Sequence, residues 1–128
     1  MRKAFAEERL LKAVASEQAT FYLAFENKEI LGFVQTIQQD FKTAELDRTV
    51  VFPEHTERRI GAQLLKHVIK DQKKRGTDLV IVNAGKEETH ARRFYEKNDF
   101  ELIKETTIQA PWRRKLDIAI YYLRLASS

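Results

Sequence analysis

Three side chains in this sequence are suited to moving a proton, and one loop between them is suited to holding an anion. Glu45 and Asp47 fall two residues apart in "TAELDRTVV" (43–51), so in a strand they share a face. Tyr95 stands in "RRFYEKNDF" (92–100), and a phenol near its ordinary pKa of about 10 stays protonated at neutral pH and can donate. The loop lies in "VFPEHTERRIGAQLL" (51–65), which reads as a strand passing into a helix. A helix start leaves backbone N–H groups unpaired and carries partial positive charge, so it can receive an anion. Here Arg58 and Arg59 add charge, but Gly61 is the only glycine, and such a loop alone fits an ordinary basic connection better than a phosphate cradle. Each proton-moving group has an equally plain structural alternative. Glu45 and Asp47 suit a solvated sheet face or an ion pair with Arg48 or Lys42, and Tyr95 suits core packing beside Phe94. Asn83 ends an apolar run and suits a strand cap as well as a ligand contact.

The elements that must position these groups follow from periodicity. Residues 4–16, "AFAEERLLKAVAS", set Leu10, Leu11 and Val14 on one helical stripe, with Glu7 and Glu8 near the positive end, which predicts a first helix. "TFYLAF" (20–25) and "ILGFVQTI" (30–37) are strands of a hairpin joined through "ENKE". "TAELDRTVV" is a third strand. Strict alternation puts Ala44, Leu46, Arg48 and Val50 on one face and Glu45, Asp47, Thr49 and Val51 on the other, with Pro53 ending it. From Ile60 the period becomes helical, through Leu64, Leu65, Val68 and Ile69, closed by "KKRG". "DLVIVNA" (78–84) is a buried strand and 87–98 a second core-facing helix. "FELIKETT" (100–107) and "LDIAIYYLRL" (116–125) are the last strands. The predicted order is therefore α-β-β-β-α-β-α-β-β. It is an α/β (α+β) fold with a mixed, mostly antiparallel sheet, a central right-handed βαβ crossover and helices on both faces.

Composition narrows the functions. The 128 residues suit one domain. The absence of cysteine excludes disulfides, thiolate zinc and a Cys nucleophile, and fits a reducing cytoplasm. No apolar run reaches a membrane span, and the acidic residues after "MRK" do not suit a signal peptide. His55, His67 and His90 have no metal-ligand spacing, with His67 and His90 expected on exposed helix faces. The net charge of +4 favours anionic ligands. A nucleic-acid module ranks last, because no strand carries the arginine–aromatic pattern of an RNA-binding sheet.

Residues 20–125 resemble the GNAT superfamily of acyl-CoA-dependent N-acetyltransferases. The resemblance rests on "AELDRTVVFPE", the loop, "IGAQLLKHVI" and "HARRFYEKNDFEL" in consistent order. In that family the loop reads Arg/Gln-x-x-Gly-x-Gly/Ala and holds the pyrophosphate of coenzyme A. Thr56 takes the Arg/Gln position, Arg59 that of the first glycine and Gly61 that of the last, so two of the three depart. The second block is matched by Ala91, Phe94, Tyr95, Glu96, Lys97 and Phe100, while Glu88 replaces its asparagine and Asp99 its glycine. Family members begin with a strand and helix before the segment matching "FAEERLLKAV", so the first strand is read as missing or short. "TFYLAF" would then be an unprotected edge able to pair with another chain as a homodimer.

The resemblance implies acetyl transfer from acetyl-CoA to a primary amine, with acetyl-CoA as co-substrate and no metal. Tyr95 would protonate the departing thiolate, and Asp47, with Glu45 as the lesser candidate, would act as base through water. Thr56, Glu57, Arg58, Arg59, Ile60, Gly61 and Ala62 would hold the pyrophosphate. Backbone N–H groups of Val51 and Phe52 would polarise the carbonyl, Asn83 would bond the pantetheine amides, and Trp112 would line the acceptor site. "AELDRTVV" is similar to strands of the polyamine-acetylating branch, which makes a polyamine or a protein amine the expected acceptor. The departures at Thr56, Arg59 and Glu88 leave a non-catalytic or weakly CoA-binding domain as the alternative.

Overall fold

The computed structural model describes residues 8–14, 18–52, 59–109 and 115–125. The strands β1 (Glu8–Val14), β2 (Ala19–Glu26), β3 (Glu29–Asp40) and β4 (Thr43–Val51) are followed by α1 (Ile60–Lys74), β5 (Leu79–Gly85), α2 (Thr89–Lys97), β6 (Glu101–Gln109) and β7 (Lys115–Arg124). They form one seven-stranded sheet in the order β1-β2-β3-β4-β5-β7-β6. All neighbours are antiparallel except β4 and β5, whose parallel pairing requires the α1 crossover. The mixed α/β sheet with a central βαβ unit is as the sequence predicts.

Two expectations are corrected. The segment expected as a helix over 4–16 contains β1, paired residue for residue from Glu8 against Glu26 to Val14 against Thr20. Leu10, Leu11 and Val14 suit a strand as readily as a helix, and the free edge of β2 supplies backbone partners that decide between them. "TFYLAF" is therefore not an edge, because β2 is paired on both sides. Both described helices also lie on one face of the sheet, not on two. A Cβ on Gly61 at the start of α1 would stand 3.3 Å from Phe94 of α2, so the helices touch. Two crossovers running in the same direction across the sheet, each right-handed, place their helices together.

The core follows from this arrangement. Leu64, Leu65 and Val68 of α1 pack with Tyr22, Val34, Leu46, Val80 and Val82 from alternating strand positions. Tyr95 and Phe100 join the same cluster with Tyr121. The β2–β3 hairpin turns through Asn27 at φ 50 and Lys28 at φ 72, the paired positive angles of a tight two-residue hairpin.

Candidate active site

A bulge in β4 shapes the site. Gln35 pairs with Arg48 and Thr36 with Leu46, which leaves Asp47 as an extra residue. The alternation shifts by one beyond it. Thr49 and Val51 face the helices with Ala44 and Leu46, while Glu45, Arg48 and Val50 face away. This corrects the strict alternation read from the sequence, which set Thr49 and Val51 beside Glu45.

The sheet also opens there. The β4–β5 ladder runs only from Thr43–Leu79 to Leu46–Val82. Past that point β4 stays with β3 as far as Val51, and β5 stays with β7 as far as Gly85. A gap therefore splits the centre of the sheet between 47–51 and 83–85. Phe52 N–H donates to the Leu31 carbonyl at 3.0 Å, which makes 52 and 31 a hydrogen-bonded pair. By antiparallel alternation the Val51 N–H points the other way, into the gap. Val51 thus offers a donor as expected, and Phe52 does not. The Asn83 side chain is exposed on the face away from the helices, while its main chain lines the gap.

Over the gap lies a cleft of about 740 Å³ between the start of α1 and the length of α2. Thr49 and Val51 form its floor, Arg59, Gly61 and Ala62 one wall, and His90, Ala91, Phe94, Tyr95, Lys97 and Asn98 the other. Its lining carries Arg59 and Lys97 and no carboxylate. The α1 start has no side-chain cap and no acidic residue in its first turn. Arg59 accepts the first helical bond, from Gln63 N–H at 3.1 Å. The N–H groups of Ile60, Gly61 and Ala62 thus stand before any intrahelical partner. The Ile60 side chain itself is core, 1% exposed, so only its backbone can serve a ligand. Arg59 has φ 59 and ψ 28, the left-handed region. A left-handed residue leading into a right-handed turn sets consecutive N–H groups into an anion-binding nest. Asp99 is likewise at φ 72. Both residues that stand in for family glycines keep the backbone conformation a glycine would take. Thr56, Glu57 and Arg58, with His55, Pro53 and Trp112, lie outside the described residues.

Tyr95 is 7% exposed and lines the cleft. Burial pushes its phenol pKa up, the Thr49 hydroxyl pulls it back, and the Glu88 carboxylate adds a smaller push. The group is therefore neutral and a donor at pH 7. Thr49 Oγ1 is buried, and no partner reaches it with hydrogen-bond geometry, although it lies near enough to the phenol to influence its acidity. On the far side of the gap, burial first and Asp47 second push the Glu45 pKa up, opposed by Gln39 Nε2 donating to Glu45 Oε1 at 2.6 Å. Asp47 does not line the cleft; it stands at the apex of the gap, beside Glu45.

A clamp holds α2 in place. Tyr121 is fully buried; its hydroxyl accepts from Arg92 Nε at 2.9 Å and donates to Glu96 Oε2 at 2.6 Å. Arg92 also donates to the Lys86 carbonyl at 2.9 Å and to Glu105 Oε2 at 2.8 Å. Read from the sequence alone, the Arg92–Arg93 pair suits a solvated surface or a helix-end cap. The sequence reading also missed Thr49, His90, Lys97 and Asn98 as cleft residues. The helical spacing of Ala91, Phe94, Lys97 and Asn98 carried a usable signal, whereas nothing marked Thr49, whose orientation depends on the bulge. Glu88, in place of asparagine, accepts from Gly85 N–H at 2.7 Å and ties the end of β5 to the start of α2. Among the described residues, no helix is long and apolar enough to cross a membrane.

A split parallel pair beneath an uncapped helix start is the architecture of an acyl-CoA N-acyltransferase-like fold, and the chain belongs to the GNAT acetyltransferase family, whose model matches residues 2–100. Among its relatives is a spermidine N(1)-acetyltransferase of Thermoplasma acidophilum, 28% identical over 106 residues. That match takes in 80% of this chain, which spans 65% of the relative's length. A GNAT family acetyltransferase from Elizabethkingia anophelis with acetyl-CoA bound shares the fold at a TM-score of 0.79 and 20% identity, over 94% of this chain and 99% of that one. A Bacillus subtilis acetyltransferase in complex with CoA does so at 0.78 and 18%, over 94% and 100%.

Proposed function

We propose that the chain is an N-acetyltransferase that passes an acetyl group from acetyl-CoA to a primary amine by direct attack in a ternary complex. The observation that carries this reading is the continuity of the cleft with the gap in the sheet, which joins an anion-receiving helix start to a buried phenol. The residues fit the co-substrate. The N–H groups at 60–62 and the Arg59 guanidinium suit the pyrophosphate. The free edges of β4 and β5 suit an amide-bearing arm that runs like a short strand. Acetyl-CoA supplies the acyl group as a thioester.

The chain's own residues divide the remaining work. The Val51 N–H, aimed into the gap, polarises the thioester carbonyl. Glu45 and Asp47 lie on the opposite side of the sheet, where a cationic amine is attracted, and take up its proton; an ordinary alkylamine, with pKa about 10.4, is otherwise mostly charged. Tyr95 gives its proton to the sulfur as the C–S bond breaks and the C–N bond forms. A cationic face for the anionic donor and an anionic corner for the amine favour a polyamine-like acceptor, in line with the spermidine-acetylating relative, over a protein amine.

The test is thiol release from acetyl-CoA with spermidine and with a peptide amine. The expected result is turnover with spermidine, lowered about 100-fold or more in kcat by Tyr95→Phe while CoA affinity is kept. Undiminished turnover in that variant would remove Tyr95 from the chemistry. One feature favours a second reading, a domain that binds CoA without turning it over. Glu88 already occupies the Gly85 N–H, a donor at the margin of the gap. CoA binding without thiol release for any amine would decide for it.

A further inference from the structure

We infer that the side-chain hydroxyl of Thr49 is a ligand-binding group of the cleft, donating to an acceptor oxygen of the thioester-bearing arm that lies against Tyr95. Thr49 Oγ1 is the one side-chain polar atom, among the described residues, that is buried and without a hydrogen-bond partner. Such an atom costs the free protein stability and calls for a partner that arrives later. Thr49 pairs across the ladder with Val34, and the cleft residues about it include Val51, Ala91 and Phe94, all apolar. The Tyr95 phenol lies near enough for Thr49 to lower its pKa, yet it does not meet Oγ1 as a hydrogen-bond partner.

The Asp47 bulge is what aims Thr49 inward, and the end of the β4–β5 ladder leaves its strand edge open. Bulge, open edge and partnerless hydroxyl thus converge on the spot where the phenol acts. An apolar residue of the same shape would pack as well in the free protein, so the hydroxyl serves the ligand. The inference rests on the acetyl-CoA reading. The oxygen is either the acyl carbonyl or an amide carbonyl of the arm, and the two are separable by ligand.

The experiment compares wild type, Thr49→Val and Thr49→Ser by thermal unfolding without ligand and by calorimetry with CoA and acetyl-CoA. Thr49→Val should raise the Tm of the free protein by about 3 °C. It should weaken acetyl-CoA about tenfold, or about 1.4 kcal/mol, with Thr49→Ser close to wild type. An equal loss for CoA assigns the bond to an arm amide; a loss confined to acetyl-CoA assigns it to the acyl carbonyl. A lower Tm for Thr49→Val, or wild-type affinity for both ligands in that variant, overturns the inference while leaving the acetyltransferase reading standing. Wild-type protein that binds neither ligand overturns both.

Discussion

Replacing Arg59 by glycine separates two opposed effects at one residue. The left-handed conformation at φ 59 costs an L-residue on the order of 1–2 kcal/mol. Glycine removes that strain but gives the unfolded chain extra freedom, worth roughly 0.5–1 kcal/mol against folding. The net effect is a gain of up to about 1.5 kcal/mol, read as a Tm higher by about 0–6 °C. Ligand binding moves the other way. The Arg59 side chain is exposed on the cleft wall and can form a charge-assisted bond to phosphate, worth about 1.5–3 kcal/mol when well placed. Taking the lower figure for an exposed group, Arg59→Gly should weaken CoA about tenfold. Affinity should also fall less steeply with salt, because one cation has left the site. Thermal unfolding without ligand and calorimetry at low and high salt measure both quantities. Tighter binding in the variant would show that the arginine obstructs the phosphates, and would refute the view that this nest works with a cation in place of its glycine.

Tyr121→Phe cuts the hydroxyl that joins Arg92 and Glu96, so α2 should loosen; chemical denaturation should show a loss of about 1–3 kcal/mol, and an unchanged midpoint would mean the clamp adds nothing. Tyr22 should shape alkaline stability. Its phenol donates to Asp71 Oδ2 at 2.6 Å, and burial, then that carboxylate, push its pKa to about 12. The folded value lies above the unfolded one of about 10, so the contribution is whole below pH 10 and is lost as pH rises toward 12. Tyr22→Phe should therefore flatten the fall in stability between pH 10 and 12 relative to wild type, and parallel curves would contradict it. Glu45→Gln should lower turnover most at neutral pH, shifting or abolishing the acidic limb of the rate profile, while leaving CoA affinity in place.

Much of the fold was legible because its periodicities are strong. The apolar stripe from Ile60 to Ile69, the continuous run at 78–84 and the alternating hairpin each admit one reading, and each stands in the structure. The N-terminal segment did not, because "ERLLKAV" is compatible with both periods and the decision belongs to a partner strand distant in sequence. The site was legible as a set of loops and less so as a surface. Tyr95 and Gly61 could be placed from the helices that carry them. Thr49 and Val51 were set on the wrong face, since a single extra residue at Asp47 reverses every side chain beyond it and leaves no mark in composition. Phe52 was misread for a related reason, because which backbone groups remain open depends on strand register. Conversely, Arg59 and Asp99 look like departures from a glycine pattern, yet the backbone at both kept the positive φ that a glycine would serve.

Calorimetric titration of the chain with CoA at low salt tests the central claim most directly. One molecule should bind per chain, with affinity that falls as salt rises and is reduced by Arg59→Gly. No heat of binding at millimolar CoA and low salt would contradict it.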